Sequence, residues 1–205
     1  MKKISLTFLS IIMLNACSTM NKSTEVPGQP SYGAMTGYAK ALKSKELLKI
    51  GIQPIQFEKV DAYSNSISKR VVKDLESSEF VINQAGRDLV LIIPKHVILS
   101  SDFAINPSQD TTLNKLTKIL KDYDETLIEV TGHTDSSGNA DTNQKISIIR
   151  AEAVTKDLMR RGIEGQRLFI NGLGETRWIA PNTTPEGRAT NNRIEIRITP
   201  SIYIK

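Results

Sequence analysis

Apolar and polar positions recur along this chain with two different periods, and the period changes at turn residues. Leu113, Leu116, Ile119 and Leu120 fall at three- and four-residue spacing. That spacing predicts a helix that starts near Ser108 or Gln109, carries Asp110 in its first turn and stops near Tyr123. Thr126 to Gly132 is a short apolar run of the kind that forms a buried strand. A turn rich in Asp, Ser and Gly follows. Next comes a long helical pattern, capped by Asp141 or Thr142, running to Arg161 and closed by Gly162. Leu168 to Asn171 and Arg193 to Ile198 read as the last strands, with a polar loop between them.

Upstream, Glu79 to Asn83 and Asp88 to Ile93 read as two strands about the turn Gln84-Ala85-Gly86-Arg87. Pro94 interrupts, and Val97 to Leu99 resumes extended structure. Ser100 to Pro107 reads as a loop in which Phe103 and Ile105 alternate toward a core. Ala62 to Ser77 is helical, with Ile67, Val71 and Leu75 on one face, and Ala34 to Lys49 is a second helical stretch weakened by Gly37. Strands alternating with helices predict an α/β (α+β) sandwich, with helices on one face of a mixed sheet.

The first residues obey a different rule. Lys2 and Lys3 precede an apolar run from Ile4 to Leu14, too short to span a bilayer comfortably and of the length of a signal-peptide core. Leu14-Asn15-Ala16-Cys17 resembles a bacterial lipobox, in which cleavage exposes a cysteine that receives lipid. The other reading is an ordinary secretory signal with a chance cysteine. Cys17 is the only cysteine of the chain, so no intrachain disulfide is possible. Acyl chains there would gain roughly 0.8 kcal/mol per buried methylene. In the lipoprotein rule Ser18 implies the outer membrane, with the protein facing the periplasm.

The expected organisation is a signal peptide over 1–16, a lipid-anchored linker over 17–33, a membrane-proximal extension over 34–87, a binding domain over 88–199 and a tail over 200–205. Ser18 to Gly33 is polar, with two prolines and two glycines, and reads as a flexible tether reaching about 50 Å when extended. The extension carries no motif with assignable chemistry. It either packs on the main domain or offers a docking surface to partner proteins.

Charge adds only exclusions. The chain has 27 basic and 22 acidic residues; without Lys2 and Lys3 the balance is 25 to 22, or +3. That is too mild for nucleic acid, and no basic run is interleaved with aromatics. With one cysteine and two histidines, His96 and His133, a Cys/His metal site is not expected. No Gly-rich phosphate loop or nucleophile elbow occurs, so neither a cofactor nor enzymatic activity is expected. Asp135 with Glu129 makes a poor hydrolytic pair, because Glu129 lies back in the strand beyond His133.

Winding the long helix at 100° per residue puts Asn143, Ser147, Arg150 and Val154 on one stripe. Ile146, Ile149 and Ala153 lie on one side of it, and Ala151 and Leu158 on the other. Arg150 is therefore flanked by apolar positions and needs partners, because desolvating an unpaired charge costs several kcal/mol. Asp135 follows the strand end directly. The two charges either pair as a structural salt bridge or are held apart to grip a zwitterion, Asp135 taking an ammonium and Arg150 a carboxylate. His133 is expected to support the turn by hydrogen bonding. Arg188 is either a ligand or part of an ion pair inside its loop. Trp178 either covers the core or the loop, its ordinary role, or stacks on sugar.

Thr131-Gly132-His133-Thr134-Asp135, Gly138, Asn143, Ser147 and Arg150-Ala151 together resemble the peptidoglycan-binding domain at the C-terminus of outer-membrane protein A and its relatives. The resemblance continues through Gly172, Gly174, Glu175, Pro181, Asn182, Thr184, Glu186-Gly187-Arg188 and Asn191 to Arg193-Ile194-Glu195-Ile196. It covers about Val97 to Thr199. It implies a βαβαβ fold that binds the diaminopimelate residue of the peptidoglycan stem peptide without covalent chemistry. Carried over by position, Asp135 and Arg150 are the main ligands, and Asn143 and Arg193 line the pocket. Amides of the Ser136 to Gly138 turn take part, and Ser101 or Asp102 faces the ligand. Where the family usually has two arginines before the last strand, this chain has Asn192 first. The resemblance implies a tether between outer-membrane lipid, at Cys17, and the wall. A second reading is a structural subunit of an envelope-spanning secretion machine of the type IVB Dot/Icm class, whose lipoproteins the run LVLIIPKHVIL and the Ala34 to Arg87 extension resemble.

Overall fold

A computed structural model describes residues 31–32, 57–100 and 103–200. Six strands form one mixed sheet: β1 (Ser31–Tyr32), β2 (Val81–Ala85), β3 (Asp88–Pro94), β4 (Thr126–Gly132), β5 (Leu168–Gly172) and β6 (Arg193–Pro200), in the order β1-β5-β4-β6-β3-β2. β1, β5 and β4 run parallel, and β6 is antiparallel to both of its neighbours, β4 and β3. The helices are α1 (Phe57–Leu75), α2 (Lys95–Ile98), α3 (Asp110–Asp122), α4 (Ala140–Arg160) and α5 (Pro185–Asn191). This is the sandwich that the sequence pattern predicts.

The register explains why one face of the sheet is core. Leu89, Ile198, Ile128 and Leu168 form one row across four strands, and Leu91, Ile196, Val130 and Ile170 form the next. All eight are buried in one apolar cluster with Ile67, Val71 and Leu75 of α1, Leu113, Leu116 and Leu120 of α3, and Ala151, Val154 and Leu158 of α4. Successive strand residues point to opposite faces, so Glu129, Thr131, Asn171 and Glu195 line the other side. There the Glu129 carboxylate accepts hydrogen bonds from Thr131 and Asn171. Because α1 shares the core of the sheet, its apolar stripe is spent on packing.

Several local features differ from expectation. The N-cap of α4 is Asn139, whose side-chain oxygen accepts from the amides of Asp141 and Thr142, so the helix starts earlier than those two residues. Its end follows the pattern: Gly162 takes φ 95°, its amide donates to Met159, and Ile163 donates to Leu158. Lys95–Ile98 is a helical turn rather than a strand, with Val97 and Ile98 buried and Leu99 bridged to Ile105. The polar loop before β6 contains α5, capped by Thr184 with Pro185 in its first turn. β1 lies within the stretch read as tether, and the helical stretch expected at Ala34 to Lys49 lies outside the described residues.

The third row of the sheet is Ile93, Ile194, Gly132 and Gly172. Here α4 touches backbone. A Cβ on Gly132 would lie 2.0 Å from the carbonyl oxygen of Ser147, and one on Gly172 would lie 2.5 Å from its hydroxyl. Ser147 is fully buried and accepts a hydrogen bond from the amide of Gly174. Gly132→Ala must push α4 off the sheet, and overpacking of this kind costs about 3 kcal/mol. Urea denaturation should show that loss, and an unchanged midpoint would mean that the helix does not rest on this glycine.

Candidate functional site

The candidate site forms where β4 ends and α4 begins. After Gly132 the chain stays in register for one more residue, because the amide of His133 donates to the carbonyl of Arg193. It then turns outward at Asp135. One Asp135 oxygen accepts from the amide of Ser137 at 2.7 Å, closing a tight turn, and the other accepts from the side-chain amide of Asn192. Partial burial pushes the Asp135 carboxyl up. Hydrogen bonds from Ser137 and Asn192 and the nearby Arg188 guanidinium outweigh it and hold the group below the ordinary carboxylate value.

Arg150 approaches the same point from α4. One guanidinium nitrogen donates to the carbonyl of His133 at 2.9 Å and to the side-chain oxygen of Asn192 at 3.0 Å. Burial lowers the Arg150 pKa, and the Asp135 charge opposes the shift. No direct ion pair joins Asp135 to Arg150. Asn192 stands between them, its NH2 on the carboxylate and its carbonyl on the guanidinium. Of the two arrangements open to these charges, the structure has the separated one. The Nε of Arg150 is buried and has no hydrogen-bond partner.

The other expected residues frame this pair. Asn143 is buried, and its amide nitrogen donates to the carbonyls of Asp135 and Ser137 and, at 2.7 Å, to Glu175. Arg193 is 2% exposed and donates to Glu195, to the carbonyl of Asn191 and to the carbonyl of Arg177. In the turn, the amide of Ser136 is bonded to Asn182 and that of Ser137 to Asp135. Arg188 donates to the carbonyl of Asn182, and no carboxylate among the described residues pairs with it. Ser101 and Asp102 lie outside the described residues, as does Cys17. Among the described residues no group of His, Cys, Asp and Glu is placed to hold a metal ion, and no helix is long and apolar enough to cross a membrane.

Two residues behave differently from the sequence reading. Trp178 does not cover the core; it is 64% exposed. His133 supports the turn through its backbone, while both ring nitrogens are buried without a hydrogen-bond partner. The residue that sequence reasoning undervalued is Asn192. It stood out only as a missing arginine, and its role needs the three-dimensional meeting of β4, α4 and β6.

The fold is consistent with an OmpA-like α/β domain. Residues 100–192, just under half of the chain, match the OmpA family. The Escherichia coli protein named "Probable lipoprotein YiaD" is 36% identical over 120 residues, which are 58% of this chain and 55% of that protein. The peptidoglycan-binding protein ArfA of Mycobacterium tuberculosis is 38% identical over 90 residues, 44% of this chain and 28% of that protein. The chain thus spans about half of the first relative's length and less of the second's. A crystal structure of a MotB-like protein from Desulfovibrio vulgaris shares the fold with a TM-score of 0.63 at 22% identity, covering 70% of this chain and 95% of that one.

His133 generates a prediction. Burial, helped by the Arg193 charge and opposed by Glu195, lowers its pKa from 6.5 to about 4. The unfolded chain therefore takes up a proton that the folded chain refuses. Stability from this group is fully present above the ordinary histidine value and is lost as pH falls toward 4, amounting to about 3 kcal/mol at most. Urea midpoints at about pH 7.5 and about pH 4.5 should separate widely for the parent and less for His133→Gln. Equal separation in the two would show that the ring is not the group refusing the proton.

Proposed function

We propose that this chain is an outer-membrane lipoprotein whose OmpA-like domain binds diaminopimelate-type peptidoglycan without covalent chemistry, tethering the membrane to the wall. The observation that carries the reading is the separated pair: a carboxylate and a guanidinium at one strand end, spaced by Asn192 instead of neutralising each other. The side chain of diaminopimelate ends in an ammonium and a carboxylate on one carbon. Asp135 takes the ammonium and Arg150 the carboxylate, each through a charge-assisted hydrogen bond. Asn143 and Arg193 hold the walls of the pocket, and Ser101, outside the described residues, is carried over as a further contact. The protein grips and does not turn over.

The direction of the chain supports a tether. β1 runs parallel to β5, with Ser31 beside Phe169 and Tyr32 beside Ile170. The chain therefore enters the sheet from the pole where β5 begins, and Asp135 lies at the pole where β4 and β5 end. Lipid at Cys17 pulls on one pole while the wall is held at the other. Weak contacts suffice, because a wall at high local density converts rebinding into a near-intramolecular event. In this layout residues 1–16 are the signal peptide, 17–33 the anchored linker and 34–87 the extension, whose α1 and β2 pack on the binding domain of 88–199. The names of the relatives, a lipoprotein and a peptidoglycan-binding protein, agree with this reading.

The alternative, a subunit of an envelope-spanning secretion assembly anchored by the same domain, drew on the run from Leu89 to Leu99 and on the Ala34 to Arg87 extension. In the structure Leu89, Leu91, Ile93, Val97, Ile98 and Leu99 are core residues. Packing alone accounts for that run, so it no longer argues for a partner.

Purified sacculi should pull down the parent, and Asp135→Ala and Arg150→Ala should each reduce retention about tenfold or more, the cost of one charge-assisted hydrogen bond. Both variants should keep the parent's circular dichroism. No retention of the parent would reject the anchor reading and leave only an assembly role that does not depend on wall binding.

A further inference from the structure

We propose that Trp178 and the loop carrying it form a subsite for the glycan strand, in which an amino-sugar ring stacks on the indole while the stem peptide occupies the Asp135–Arg150 site. The inference rests on the peptidoglycan reading and extends it from the peptide to the sugar.

Exposure is the first observation. Trp178 is 64% exposed, and Ile179 beside it is 51% exposed. An indole left in water has unfavourable apolar hydration that a partner can relieve.

Rigidity is the second. The residues on both sides of Trp178 are fixed to buried side chains. The carbonyl of Arg177 accepts from Arg193 at 2.9 Å. The amides of Ile179 and Ala180 both donate to Asn191 at 2.8 and 3.0 Å, and Asn191 returns a bond to the carbonyl of Ala180. Asn191 is fully buried and Arg193 nearly so. The backbone that carries Trp178 is thus set before any ligand arrives, and a preorganised aromatic loses little entropy on binding.

Continuity with the charged site is the third. Asn182, four residues after Trp178, accepts from the amide of Ser136 and from Asn191, and its carbonyl accepts from Arg188. Four residues span at most about 14 Å. A diaminopimelate at the third position of a stem peptide lies on the order of 10 Å of extended chain from the sugar. A peptide held at Asp135 and Arg150 thus delivers its own sugar within reach of this loop.

The surroundings select a sugar over a protein. Arg177 and Asn182 flank the two exposed apolar residues along the chain, and Arg188 is bonded to the carbonyl of Asn182. Two residues cannot supply the roughly 800 Å² per partner that a stable protein interface needs. A pyranose suits the site better: its C–H face lies flat on the ring, and its hydroxyls remain among the polar groups and water.

Trp178 is the only tryptophan of the chain, so tryptophan emission reports this residue alone. The full chain would be titrated with a disaccharide–stem peptide, with the same stem peptide lacking sugar, and with an N-acetylglucosamine oligomer. The disaccharide–peptide should alter the emission and bind about fivefold tighter than the bare peptide, the scale of one aromatic stacking contact. Trp178→Ala should abolish that increment while keeping the bare-peptide affinity within about twofold, and Trp178→Phe should restore part of it. Equal affinity of the parent for both peptide ligands would overturn the subsite, as would equal weakening of both by Trp178→Ala. If neither peptide ligand binds, the peptide reading has failed and the sugar oligomer decides: a saturable emission change upholds the subsite, and none overturns it.

Discussion

The direct contact of α4 with the backbone of β4 and β5 is the constraint on which the rest of the structure depends. At Gly132 and Gly172 the sheet has no side chains on its helical face, and Ser147 descends until its own backbone meets the strand. The amide of Gly174 bonds to the hydroxyl of Ser147 and the side chain of Gln144 to the carbonyl of Gly172, so hydrogen bonds hold the contact from both sides. This close seat brings Arg150, one helical turn further on, over the end of β4, where it reaches the carbonyl of His133. With a side chain in that row, the helix would ride higher and the guanidinium would lose its anchor.

The second dependence is electrostatic. A carboxylate and a guanidinium brought so close would ordinarily collapse into a bidentate pair, which is stable and inert. Asn192 prevents this by offering each charge a neutral partner of the right polarity. The remaining supports work toward the same end. Ser137 and Arg188 keep Asp135 ionised, and Asn143 fixes the turn that carries it. Arg193 ties the strand end to the loop bearing Trp178. Because the charges are hydrogen-bonded but not cancelled, both can still be drawn to a ligand that carries the opposite pair.

Where burial decides structure, the sequence was readable. The spacing of Leu113, Leu116 and Leu120 and the apolar run of β4 marked the core, and Gly162 marked the end of α4. Asp135 and Arg150 could be singled out because a charge amid apolar positions needs a reason. Features set by geometry rather than periodicity were not readable. Asn139 and Asp141 are both good caps, and only the turn after Asp135 selects the first. α5 is too short to show a period and buries little beyond Gly187 and Asn191. The exposure of Trp178 follows from how Asn191 holds its loop, and the role of Asn192 from the meeting of three elements distant in sequence.

The account turns on whether the separated charges recognise a zwitterion. The most direct measurement is calorimetric titration of the chain with a diaminopimelate stem peptide and with the same peptide carrying lysine at that position. Lysine keeps the ammonium for Asp135 but lacks the carboxylate for Arg150. The account predicts that the lysine peptide binds at least about tenfold more weakly, the loss of one charge-assisted contact. Equal affinity for the two peptides, or none for either, would contradict it.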